Sequence, residues 1–154
     1  MMKNKILIIG LAICTLISCG KEEIKVYDNP FVHINFNNVS TVNINANRKD
    51  IASYYVYLST TPLSKDLLLD YDIIVGDGLK DGEDFKILTT EFPLTFPTGI
   101  YKRPIQIQWL ENTLDPTKDN TITIRLKSNN LGVHIGFPGE DANQSELVIH
   151  KVNN

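Results

Sequence analysis

From Phe31 onward the apolar residues of this chain recur at every second position, and that period is compatible with little but β-structure. Val32, Ile34 and Phe36 alternate with His33, Asn35 and Asn37, and Val42 and Ile44 with Asn43 and Asn45. Ile105, Ile107 and Trp109 alternate with Gln106 and Gln108. Ile122, Ile124 and Leu126 alternate with Thr123, Arg125 and Lys127. Further strands are expected over 54–59, 67–75, 85–88, 94–96, 133–135 and 146–152. Only 50–54 hints at a short helical turn. Turn residues separate these runs: Asn37-Asn38, Gly76-Asp77-Gly78, Pro97-Thr98-Gly99, Asp115-Pro116, Asn129-Asn130 and Pro138-Gly139. Short strands closely punctuated in this way predict an all-β sandwich. Trp109 shares a face with Ile105 and Ile107, so its ring belongs to the core. The row Ile122, Ile124, Leu126 would meet it from the opposite sheet.

The first residues read differently. Lys3 and Lys5 precede an apolar run over 6–17, too short to span a bilayer comfortably. It ends in Leu16-Ile17-Ser18-Cys19, which resembles the bacterial lipobox. The resemblance implies that 1–18 is a cleaved signal peptide and that Cys19 carries palmitate-type chains. Residues 19–30 then form a polar tether, and 31–154 one domain. Lys21, Glu22 and Glu23 follow the lipid site. They resemble the signal that sends lipoproteins of Bacteroidetes-type bacteria to the outer face of the outer membrane. No second apolar run of spanning length follows. Loss of Lys3 and Lys5 leaves 15 − 2 = 13 basic side chains against 18 acidic ones, a formal charge of −5. That balance argues against a nucleic-acid partner. Cys14 departs with the signal and Cys19 is acylated, so no disulfide is expected and the fold must rest on its apolar core.

Residues 82–152 carry a family resemblance. Gly82-Glu83-Asp84-Phe85 is followed by Leu94-Thr95-Phe96-Pro97-Thr98-Gly99 and Ile105-Gln106-Ile107. After a loop come Asn120-Thr121-Ile122-Thr123-Ile124-Arg125-Leu126, Gly132-Val133-His134-Ile135-Gly136 and Leu147-Val148-Ile149. This pattern is similar to the Calx-beta domain. The resemblance implies an immunoglobulin-like antiparallel β-sandwich of about 7–9 strands. It also implies Ca²⁺ held by acidic residues at one end, which needs several converging oxygens. Asp77, Asp81 and Glu83 crowd the loop around Gly82, and the weak ligand candidates are Asp84, Glu111, Asp115 and Asp119. The later acidic loop is interrupted by Asn112, Thr113, Thr117, Lys118 and Asn120, a departure from the family. Solvated turn acids are the preferred reading, and no firm metal or other cofactor is assigned.

His33, His134 and His150 each sit between apolar neighbours at positions expected to face solvent, without metal-ligand spacing. No phosphate loop, nucleophile elbow or Cys–His pair is present. The chain therefore reads as non-catalytic: a surface lipoprotein for adhesion, for binding a glycan or peptide, or for scaffolding a surface complex. The rival reading is a small surface hydrolase acting on glycans through paired carboxylates. Tyr101 in the turn after Gly99 is a candidate ligand contact. Tyr54, Tyr55 and Tyr57 must place rings on both faces of one strand, and the N-terminal strands are expected to cover the outer ones.

One acyl chain holds a protein to a bilayer only marginally, at about 0.8 kcal/mol per buried methylene, whereas two or three hold it firmly. Labelled palmitate should be incorporated into the wild-type chain and lost in Cys19→Ser. Label and membrane association retained by that variant would remove the lipid anchor from the reading.

Overall fold

A computed structural model describes residues 29–153. The expected signal peptide, Cys19 and Lys21-Glu22-Glu23 lie outside the described residues. Ten strands follow in order: β1 (Phe31–Asn35), β2 (Thr41–Asn45), β3 (Ile51–Ser59), β4 (Leu67–Val75), β5 (Phe85–Ile87), β6 (Leu94–Phe96), β7 (Lys102–Trp109), β8 (Thr121–Asn129), β9 (His134–Ile135) and β10 (Glu146–Val152). They form two five-stranded sheets, ordered β5-β7-β3-β1-β9 and β2-β10-β8-β4-β6. The sequences β1-β3-β7-β5 and β4-β8-β10 reproduce the two-sheet pairing of an immunoglobulin-like sandwich. The count exceeds nine because β5, β6 and β9 are short pairings at sheet edges. One departure is that the chain visits β5 in the first sheet before β6 in the second.

The N-terminal chain divides between the sheets. β1 runs antiparallel to β3, and β2 runs parallel to β10. The switch is made at Asn37 and Asn38, whose φ angles of 52° and 65° lie in the left-handed region that asparagine tolerates. The Asn38 amide donates to Asn35 Oδ1 at 3.2 Å, and Phe36 and Val39 exchange backbone bonds of 3.1 Å. No helical turn forms over 50–54. The Asp50 carbonyl instead accepts the Trp109 amide at 2.9 Å, and β3 pairs with β7 from Ile51 onward. Cross-strand pairing outweighs local preference there.

The inner faces meet as the period-two pattern requires. Val32, Ile34, Tyr54, Val56, Ile105, Ile107 and Trp109 of one sheet are buried against Leu67, Leu69, Ile122, Ile124, Leu147 and Ile149 of the other. Trp109 is fully buried, and its Nε1 donates to the Tyr54 hydroxyl at 3.1 Å. That bond satisfies the indole and gives the phenol an acceptor role in the core. Burial pushes the Tyr54 hydroxyl up to about 12. Pro104 stands in β7 without harm because β5 pairs only with Ile107, Gln108 and Trp109.

Thr95 in β6 sits on an open sheet edge. Leu68 opposite it turns both its amide and its carbonyl to Asn130, at 2.8 and 3.2 Å. The backbone groups of Thr95 therefore point outward, where a foreign strand could add. Glu91 Oε1 takes the Thr95 amide at 2.8 Å, and Arg103 of the other sheet donates to the Thr95 carbonyl. Arg103 also pairs with Glu91, so this edge is closed by a side-chain ion pair.

Replacing Trp109 by Ala removes the largest buried side chain and orphans the Tyr54 hydroxyl. Chemical denaturation should show a loss of roughly 3–5 kcal/mol. An unchanged midpoint, with wild-type emission already red-shifted, would contradict a core tryptophan.

Candidate functional site

The outer face of the first sheet carries an aromatic band. Residues of β1, β3 and β7 that alternate away from the core fall into rows: His33 beside Tyr57 beside Lys102, and Asn35 beside Tyr55 beside Pro104. The His33 ring stacks on Tyr57 at 5.3 Å and 18°. Its neighbour Phe137 stacks on it at 4.8 Å and 24°. Phe31 adjoins both His33 and Phe137, at 5.3 and 5.1 Å. Tyr55 and Tyr57 lie 6.3 Å apart at 47°. The Lys102 ammonium stands 3.7 Å over the Tyr55 ring and 5.4 Å from that of Tyr57. A cation over a ring face is held by the ring quadrupole.

β1 does not cover this band, contrary to expectation; it lies beside β3 in the same sheet. The covering segment is 136–145. Gly136 (φ 82°) starts it, and a β-carbon there would lie 2.2 Å from the Ala142 carbonyl oxygen, so only glycine fits. The Gly136 amide donates to Val32 O at 2.7 Å, and the Ile34 amide to Gln144 O at 2.8 Å. Asn35 Nδ2 donates to Gln144 Oε1 at 3.2 Å. The strap carries Phe137 over His33 and buries every residue of β1. His33 is therefore not solvent-facing: 8 % of it is accessible, and its Nδ1 is buried without a hydrogen-bond partner. Beyond the strap, Tyr55 and Tyr57 stay half-buried and Lys102 exposed. This uncovered part of the band is the candidate contact surface.

Tyr101 is exposed, and its carbonyl accepts the Leu58 amide at 2.9 Å. Among the described residues its ring stacks on no other, so it stands apart from the Tyr55–Tyr57 pair.

The two acidic loops do meet at one end of the sandwich, but through the protein's own partners. Asp84 is buried. Its Oδ1 accepts Lys151 Nζ at 3.2 Å and Asn112 Nδ2 at 3.1 Å, and its Oδ2 accepts the Lys80 amide at 2.9 Å. Glu111 pairs with Lys49. Asp115 accepts the Thr117 hydroxyl and amide at 2.7 and 2.9 Å, bonds that hold its carboxyl below the ordinary range. Asp119 accepts the Thr121 hydroxyl at 2.7 Å. The Asp119 amide donates to Asp77 Oδ1 at 3.0 Å. Among the described residues no three acidic or histidine side chains converge as a metal site. Lys151 escaped the candidate set, although its position was signalled: it extends the inward row of Leu147 and Ile149. Among the described residues no helix is long and apolar enough to cross a membrane.

No family model and no curated protein matches the chain.

Burial holds the His33 imidazole below the ordinary histidine value of 6.5. The unfolded chain then binds more protons than the folded one just below that pH. Stability is full above about pH 6.5 and is lost as pH falls toward the lowered folded value. Melting temperature should drop between pH 7.5 and pH 5 in the wild type, and drop less in His33→Phe. Equal drops would show that His33 does not carry the dependence.

Proposed function

We propose that this chain is a lipid-anchored, non-catalytic binding domain of the outer membrane, displayed at the cell surface, whose outer aromatic face takes a glycan. The supporting observation is the Tyr55–Tyr57 pair with Lys102 over it, set on the adjacent strands β3 and β7 of one sheet. Half-buried tyrosines offer an apolar ring surface with a polar tip, the combination that suits a sugar with one apolar face and several hydroxyls. Ser53 and Gln106 neighbour the rings on the same face, with Gln106 Nε2 donating to Ser53 Oγ at 3.3 Å. They supply a hydroxyl and an amide for orientation. Rigid strands hold the rings in place, so little ordering entropy is lost on binding. The lipobox-like leader supplies the anchor, and Lys21-Glu22-Glu23 the surface address.

A glycan array probed with the Cys19→Ser chain tests this reading. Each ring contact contributes roughly 0.5–1.5 kcal/mol. Tyr55→Ala combined with Tyr57→Ala should therefore weaken capture about tenfold or more while the core still melts cooperatively. Undiminished capture by the double variant, or an array without a bound glycan, would overturn the assignment.

A further inference from the structure

At the end of the sandwich where the two acidic loops meet, the fold brings together a buried amine, a buried carboxylate and a half-buried carboxamide. The Lys151 side chain has 0 % and that of Asp84 3 % of its surface exposed. Lys151 Nζ and Asn112 Nδ2 both bond to one oxygen, Asp84 Oδ1, at 3.2 and 3.1 Å. Nζ is further held by the carbonyls of Leu110 (2.8 Å) and Asp84 (3.1 Å). Asn112 is fixed at its backbone as well, where its amide donates to Ala46 O at 3.2 Å. Phe85 and Trp109, with rings 6.4 Å apart, follow Asp84 and precede Leu110 on the paired strands β5 and β7.

We propose that Lys151 and Asn112 condense into an intramolecular amide, with Asp84 carrying the protons. A proton first passes from the Lys151 ammonium to the Asp84 carboxylate, along their existing contact. The amine lone pair then attacks Asn112 Cγ, and Asp84 protonates Nδ2 along their 3.1 Å contact. The carboxylate so formed takes a proton from Nζ. The Cγ–Nδ2 bond breaks, the new Nζ–Cγ bond remains, and ammonia leaves as the carbonyl re-forms from the oxyanion. An amine and a primary amide have become a secondary amide and ammonia, with no oxidation or reduction. Nothing outside the three residues is consumed. Asn112 lines an open depression of 380 Å³ through which ammonia can depart. Holding both reactants against one proton carrier replaces a bimolecular encounter with an intramolecular step. The remaining Nζ–H still has the Leu110 carbonyl as acceptor. The product would bolt the last strand to the β7–β8 loop, and a domain exposed outside the cell would gain a cross-link without a cysteine.

The test is peptide mass mapping of the full chain, unfolded and digested with trypsin. A branched peptide is expected, joining 103–118 to 128–154 and lighter than the two together by one ammonia. Trypsin should fail to cut after Lys151, because its amine is acylated. Asn112→Ala removes only the electrophile and one hydrogen bond, so it should fold and lose the branch. Asp84→Asn, checked for folding by circular dichroism, should lose it as well. Three results would overturn the proposal: linear peptides with cleavage after Lys151, a branch retained in folded Asn112→Ala, or a branch through Asp84 lighter by one water.

Discussion

The fold closes around a lysine. β10 sends Leu147 and Ile149 into the core, and the same alternation sends Lys151 after them, so an ammonium group ends up with no access to solvent. Burying that charge is tolerable only if every donor on it is met. The partners come from two other segments: the Asp84 carboxylate and carbonyl before β5, and the Leu110 carbonyl after β7. Asp84 is itself held by the Lys80 amide and by Asn112. Removing one member of such a pair typically costs about 3–5 kcal/mol, because the other charge is left bare. What the pair contributes is register. A one-residue slip of β10 would expose Lys151 and turn His150 inward, leaving Asp84 buried alone. The parallel pairing of β2 with β10 depends on the same alignment, since Ile44 stands opposite Lys151.

This requirement explains what could and could not be read from the sequence. The period-two rows named the core correctly, including Trp109, and three strands, 67–75, 94–96 and 146–152, have the expected bounds. Such patterns are local, and burial of one face enforces them. Sheet membership was not legible, because pairing of β2 with β10 joins segments about a hundred residues apart. The acid at 84 was ambiguous for another reason. A turn aspartate bound for solvent and one bound for a buried ammonium stand in the same Gly-x-Asp-Phe surroundings. The deciding residue was Lys151, whose place in the inward row calls for a buried acid somewhere else in the chain. His33 was misjudged because what buries it comes from across the fold: Asn35, two residues along, bonds to Gln144, 109 positions away.

The strap over 136–145 also decides which part of the aromatic band can serve a ligand. Phe137 stacks on His33, and Gln144 satisfies both the Ile34 amide and the Asn35 side chain. That half of the face is spent on holding β1, which lacks a long neighbour on its outer side because β9 offers only two residues. The half toward β7 has no such cover. There the sheet itself gives the tyrosines their neighbours, and Lys102 supplies a cation that the rings hold in place. Two of the rings stay half-open on a rigid surface, beside the Gln106 amide and the Ser53 hydroxyl, and the surface proposed for a glycan is confined to that half.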